Sequence, residues 1–132
     1  MNYVPRIKRR KHRAMNVQAP ARVDCAGHLK WVRGHICLVE GVNGHTCSGR
    51  IEAHHVISRG AGGGDEQVVP LCSGAHDDGH LRGWDTFARD YGVDLDKIAA
   101  AFWQQSPHRA RYEREWREMW NDTPLPYKDL SK

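Results

Sequence analysis

The sequence predicts an α+β domain, and three observations carry that expectation. The stretches ICLV (36–39) and RIEAHHVI (50–57) have the β-branched, alternating character of strands. A Gly-rich run, SRGAGGGDE (58–66), reads as a loop by composition. Beyond residue 73 the apolar side chains fall at helical spacing. At 132 residues the chain is about one domain's worth, expected over 24–132.

The first 23 residues stand apart by charge. They hold seven bases (Arg6, Lys8, Arg9, Arg10, Lys11, Arg13, Arg22) and no acid, which leaves thirteen bases against sixteen acids in the rest, a net charge of −3. Such a run repels itself and has nothing apolar to bury, so an arm disordered until it meets a polyanion is expected. Nucleic acid is the expected partner of Lys8, Arg9, Arg10, Lys11 and Arg13; the plainer alternative is a solubilising tail. No apolar run reaches the ~18 residues of a membrane span, and the basic N-terminus lacks the apolar segment of a signal peptide. A cytoplasmic protein without membrane contact is therefore expected. In a reducing compartment its four cysteines read as metal ligands or buried thiols.

The remaining elements follow in order. DCAGHLKWVRGH puts Leu29, Trp31, Val32 and Ile36 at roughly helical spacing, a short helix leading to Cys37. ICLV and RIEAHHVI are expected to pair as a hairpin across EGVNGHTCSG. QVVPLC is a short extended piece, and Ser73 begins a helix carrying His76 and His80. WDTFARDYG is a helix stopped by Gly92; VDLDKIAAAFWQQ is another, capped by Asp94; SPHRARYEREWREMW has Ser106 as N-cap and Pro107 at the first helical position, and runs to about Trp120. Trp84, Trp103, Trp116 and Trp120 fall in these C-terminal helices (about 84–120), where aromatic residues at such spacing read as core.

Histidine carries the chemistry. His76 and His80, four apart on one helix face, are a chelating pair, although alone such a pair is as readily two solvated imidazoles. His54 and His55 end a strand, where neighbours face opposite ways, so bringing both to one site needs a bend or bulge there. Four histidines within 27 residues, paired at these spacings, point to a metal site.

The HH-bearing hairpin, the Gly-rich loop, VVPLC and the His-x-x-x-His helix together resemble the HNH endonucleases of the ββα-metal fold, including small phage-encoded members and the colicin-type DNases, over residues 28–90. The resemblance implies a metal-dependent DNA endonuclease of bacterial or phage origin. In it His54, His76 and His80 would hold a catalytic divalent ion (Mg2+, Mn2+, Ni2+ or Zn2+) and His55 would be the general base. DNA is the implied partner, with a phage packaging or recombination protein beside it, and the products would carry 5′-phosphate and 3′-hydroxyl ends. Arg59 or Arg82 would hold the scissile phosphate. Gln67 stands where the family commonly has Asn, retaining an amide. Many HNH proteins also carry a structural zinc, whose ligands map here to Cys37, Cys47 and Cys72, with the fourth open among His76, His45 and Cys25; otherwise these thiols are small core residues. A rival of another class is a non-catalytic zinc-stabilised DNA-binding or phage-assembly protein on the same fold. An RNA-binding module would need exposed aromatics on a sheet.

Overall fold

The computed structural model describes residues 18–128, so Lys8, Arg9, Arg10, Lys11 and Arg13 lie outside the described residues. The class is α+β, with two strands and five α-helices among the described residues: α1 (Ala26–Arg33), β1 (Ile51–His55), β2 (Val68–Cys72), α2 (Ser73–Arg82), α3 (Trp84–Tyr91), α4 (Leu95–Gln105) and α5 (Arg109–Trp120). No helix among the described residues is long and apolar enough to cross a membrane.

The strands pair antiparallel in continuous register, from Ile51 opposite Cys72 to His55 opposite Val68. This corrects the expected hairpin: the partner of RIEAHHVI is VVPLC, and the connection is the Gly-rich loop. The ICLV segment is not a strand. It touches β2 through one bond, Leu38 N–H to the Pro70 carbonyl at 2.9 Å. Pro70 has no N–H to return, so a ladder cannot continue there. The chain turns instead, with Glu40 N–H on the Cys37 carbonyl, and its β-branched character serves burial: Val39 is fully buried.

β2 is buried along its whole length because α1, α2 and α4 all pack against it. Hence VVPLC is a continuous apolar run with no alternation, as a covered strand requires. Val69, Leu71, Phe87 and Ala99 form the centre of the core, each large side chain contributing about 1.5–3 kcal/mol on burial. The caps fall largely as expected. Asp94 accepts from Lys97 N–H, and Gly92 ends α3 in the left-handed region at φ +66°. Ser106 Oγ accepts from His108 N–H, but this closes a turn and α5 begins only at Arg109. Trp103 and Trp116 are core residues as expected, whereas Trp84 is half-buried against the histidines described below.

His28, on α1, is fully buried between Ser106 Oγ (2.9 Å) and the edge of Trp103. Burial, and secondarily the charge of His108, depresses its pKa from 6.5 to about 4. Between those values the unfolded chain binds the proton that the folded chain refuses. Its contribution is therefore whole above about pH 6.5 and lost as the pH falls toward 4, by up to about 3 kcal/mol. Denaturant unfolding at pH 7 and pH 5 should show a larger stability drop for the wild type than for His28→Gln. Equal drops would show that His28 titrates normally in the fold.

Candidate functional site

Period two along β1 puts Glu52 and His54 on the face that looks at α2. His76, in the second turn of α2, is held between them. Its Nδ1 bonds a Glu52 carboxylate oxygen, and its Nε2 stands 3.2 Å from His54 Nδ1. The Ser73 hydroxyl donates to the other Glu52 oxygen at 3.1 Å. Glu52 is held below the usual carboxylate range, first by its bond to His76. Two imidazole nitrogens bound to one tetrahedral ion at 2.0–2.1 Å stand about 3.3 Å apart, so the His54–His76 pair is already at ligand spacing. A carboxylate behind one imidazole is the usual support of such a ligand. Burial, then the neighbouring histidines, lowers His54 to about 4, which keeps it neutral and able to donate a lone pair.

His80 is exposed, its ring 4.8 Å from that of His76 and 6.2 Å from that of His54. It sits at the rim and reaches the pair only by rotating inward. Trp84 closes the floor, stacked on His54 at 3.9 Å between ring centres. That contact depends on Gly79, because a Cβ there would lie 2.0 Å from the Trp84 ring. Gly79→Ala should therefore destabilise the fold by about 1–3 kcal/mol, as overpacking does. A gain of stability on denaturant titration, the usual result of Gly→Ala inside a helix, would contradict this packing.

His55 faces the other way. Its Nε2 meets Asp65 Oδ1 at 2.9 Å, while Asp65 also takes Arg59 Nη1 (2.6 Å) and Cys25 N–H (2.8 Å). No bulge breaks the β1 register, but the chain bends at Val56–Ile57 directly after the pair, one of the two devices expected from the sequence, and both histidines line one cleft with Ser58 and Arg59 of the loop. Gly63 is needed for the loop's return, since a Cβ on it would lie 1.7 Å from the Ile57 carbonyl oxygen. His54, His55, His76, His80, Arg59 and Trp84 line one cleft of about 260 Å³. Arg82 does not: its guanidinium is tied to Asp78 (3.0 Å) and Asp90 (2.7 Å) and lies over Tyr91. Gln67 contributes its main chain to the loop, accepting from Val56 N–H, and the residue lines a different cavity. The polar contact that orients His55 comes from Asp65.

A second cluster lies on the other side of β2. Cys37, His45, Cys47 and Cys72 place one ligand atom each within 4.8 Å of one another. Among the described residues it is the group of His, Cys, Asp or Glu drawn this tightly together, and three thiols with one imidazole suit a tetrahedral ion such as zinc. The ten-residue step from Cys37 to Cys47 is folded back by the 3₁₀ turn Val42–Gly44, flanked by Gly41 at φ +74° and anchored by the Asn43 amide on the Asp90 carbonyl. Burial pushes the Cys72 thiol up, but the main-chain N–H groups of Ala75 and Ser48, with His45 and Cys47, outweigh it and hold Cys72 toward thiolate. Of the three candidate fourth ligands, His45 is the one present, with Nε2 3.4 Å from Cys72 Sγ. Cys25 precedes α1, where its N–H meets Asp65, and His76 belongs to the histidine cleft.

Sequence reasoning missed Glu52 and Asp65. Glu52 carried a signal, since it stands two residues before His54 and so shares its face. Asp65 carried none, because its contact closes a loop of ten residues. Comparison with protein-family models, curated proteins and solved structures finds no match to this chain.

Proposed function

We propose that this protein is a metal-dependent DNA endonuclease of the HNH type, with β1, β2 and α2 as its ββα-metal core. The observation that supports the reading best is a single cleft holding His54 and His76 at ligand spacing beside a histidine–aspartate pair. A divalent ion held by His54, His76 and an inward-rotated His80 would supply Lewis-acid stabilisation of charge on the phosphate and the leaving oxygen. The protein's residues do the rest. Asp65 accepts from His55 Nε2–H, which leaves Nδ1 as the basic nitrogen, aimed by a carboxylate that is itself fixed by Arg59 and by Cys25 N–H. His55 takes the proton of the attacking water. Arg59, 41% exposed and paired with both Asp65 (2.6 Å) and Asp24 (2.9 Å), lines the cleft as Arg82 does not, and would turn from the exposed Asp24 to offer cationic charge to the scissile phosphate. The basic N-terminal arm would add sequence-independent phosphate contacts. The Cys/His cluster would hold the structural ion.

Supercoiled plasmid incubated with the protein and Mg2+, Mn2+, Ni2+ or Zn2+ should be nicked, chelator should stop the reaction, and the nicks should be sealable by DNA ligase because they carry 5′-phosphates. No nicking with any of the four ions would leave the non-catalytic, zinc-stabilised alternative in its place.

A further inference from the structure

A second cavity, of about 420 Å³, opens on the opposite side of Ile57 from the histidine cleft, between the end of the Gly-rich loop, α4 and Tyr127. Val56 and Ser58 line the cleft and Ile57 lines the cavity, so one residue of chain separates them. The cavity is within the size range of small-molecule sites. Its polar lining is unusual. Glu66 Oε1, Trp103 Nε1 and Arg109 Nε are buried without a hydrogen-bond partner, and all three belong to lining residues. Trp103 is only 4% exposed, and its indole N–H lies near the Tyr127 hydroxyl without the geometry of a bond to it. Buried polar atoms left alone cost stability, and Trp103 Nε1 and Arg109 Nε, both on residues that line the cavity, mark a place where a ligand completes them.

We infer that this cavity receives a nucleobase of the DNA strand held in the adjacent cleft, an inference that rests on the nuclease reading above. The lining offers two donors (Trp103 Nε1–H and Arg109 Nε–H) and the amide-bearing residues Gln67 and Gln104, while the buried Oε1 of Glu66 is turned to Gly64. The Trp103 and Tyr127 rings, 5.7 Å apart and perpendicular, add aromatic surface. An apolar ligand would leave those atoms unpaired. A simple anion would meet Glu66 and Asp96 as well as Arg109. A nucleobase presents donors and acceptors on its edges and a π face that aromatic side chains can hold. Burial pushes the Glu66 carboxyl up, and its oxygen lies where a Cβ of Gly64 would be, so the glycine run also makes room for this carboxylate. An unstacked base next to the scissile phosphate would give the enzyme a preference at one position flanking the cut.

The test uses the full chain labelled with ¹⁵N, with the Trp103 indole resonance assigned through bonds. Each of the four deoxynucleoside 5′-monophosphates is titrated in, and deoxyribose 5-phosphate serves as the baseless control. At least one nucleotide should shift the Trp103 indole signal saturably while the sugar phosphate does not, and Gln104→Ala should weaken that binding about tenfold, the loss of one good polar contact. No shift with any nucleotide, or an equal shift with the sugar phosphate, would overturn the inference. Neither readout needs cleavage. Base binding without plasmid nicking would remove the nuclease reading alone, and nicking without base binding would remove the cavity alone.

Discussion

His55→Ala should lower DNA cleavage by about 10² to 10⁴-fold while divalent-ion binding persists. That loss corresponds to roughly 3–5 kcal/mol of transition-state stabilisation. The two effects separate because His55 and His54 face opposite sides of β1. His55 meets Asp65 on one side, and the ligand pair meets Glu52 on the other. Glu52→Gln should show the reverse pattern. It removes the carboxylate that aims His76 and should weaken metal binding about 10 to 100-fold, as loss of such a support does, with turnover recovering as the ion is raised. Calorimetric titration with Mn2+ or Ni2+, run beside plasmid nicking, measures both. Cleavage by His55→Ala within a few-fold of wild type would remove the general-base role. Loss of ion binding by that variant would move His55 from base to ligand.

These contrasts also show what the sequence could and could not reveal. Apolar spacing and caps located α2, α3 and α4 because those signals are local: Asp94 bonds three residues ahead, and Gly92 ends its own helix. The histidines were legible for the same reason, since i and i+4 on a helix share a face whatever surrounds it. Strand pairing is not local. ICLV and VVPLC both look like partners for RIEAHHVI, and what decides between them is Pro70, three covering helices and the burial of Cys37. Asp65 was illegible because an acid in a Gly-rich loop reads as solvated until the loop's return path is known. His45 was one of three open choices until the turn at Val42–Gly44 brought it beside Cys72.

That turn underlies the second large effect. Cys37 and Cys72 are core residues, and Cys72 joins β2 to α2, accepting Ala75 N–H at the start of the helix that carries His76. An ion held by Cys37, His45, Cys47 and Cys72 would tie the 37–47 loop to the junction that sets the height of α2 against β1. Structural zinc contributes about 10–16 kcal/mol of binding energy in small zinc peptides, comparable with the ~5–15 kcal/mol total stability of a domain. The purified protein should therefore contain tightly held metal that a chelator removes together with the cooperative unfolding transition. Cys47→Ser and His45→Ala should each lower the melting midpoint sharply, whereas Cys25→Ser, outside the cluster, should not. His76→Ala distinguishes the two centres: it should weaken the exchangeable ion of the cleft and leave the tightly held metal in place. Protein that purifies without metal and melts identically in chelator would leave the three thiols and His45 as packing alone. The position of α2, and with it the His54–His76 spacing, would then rest on Phe87, Leu71 and their neighbours.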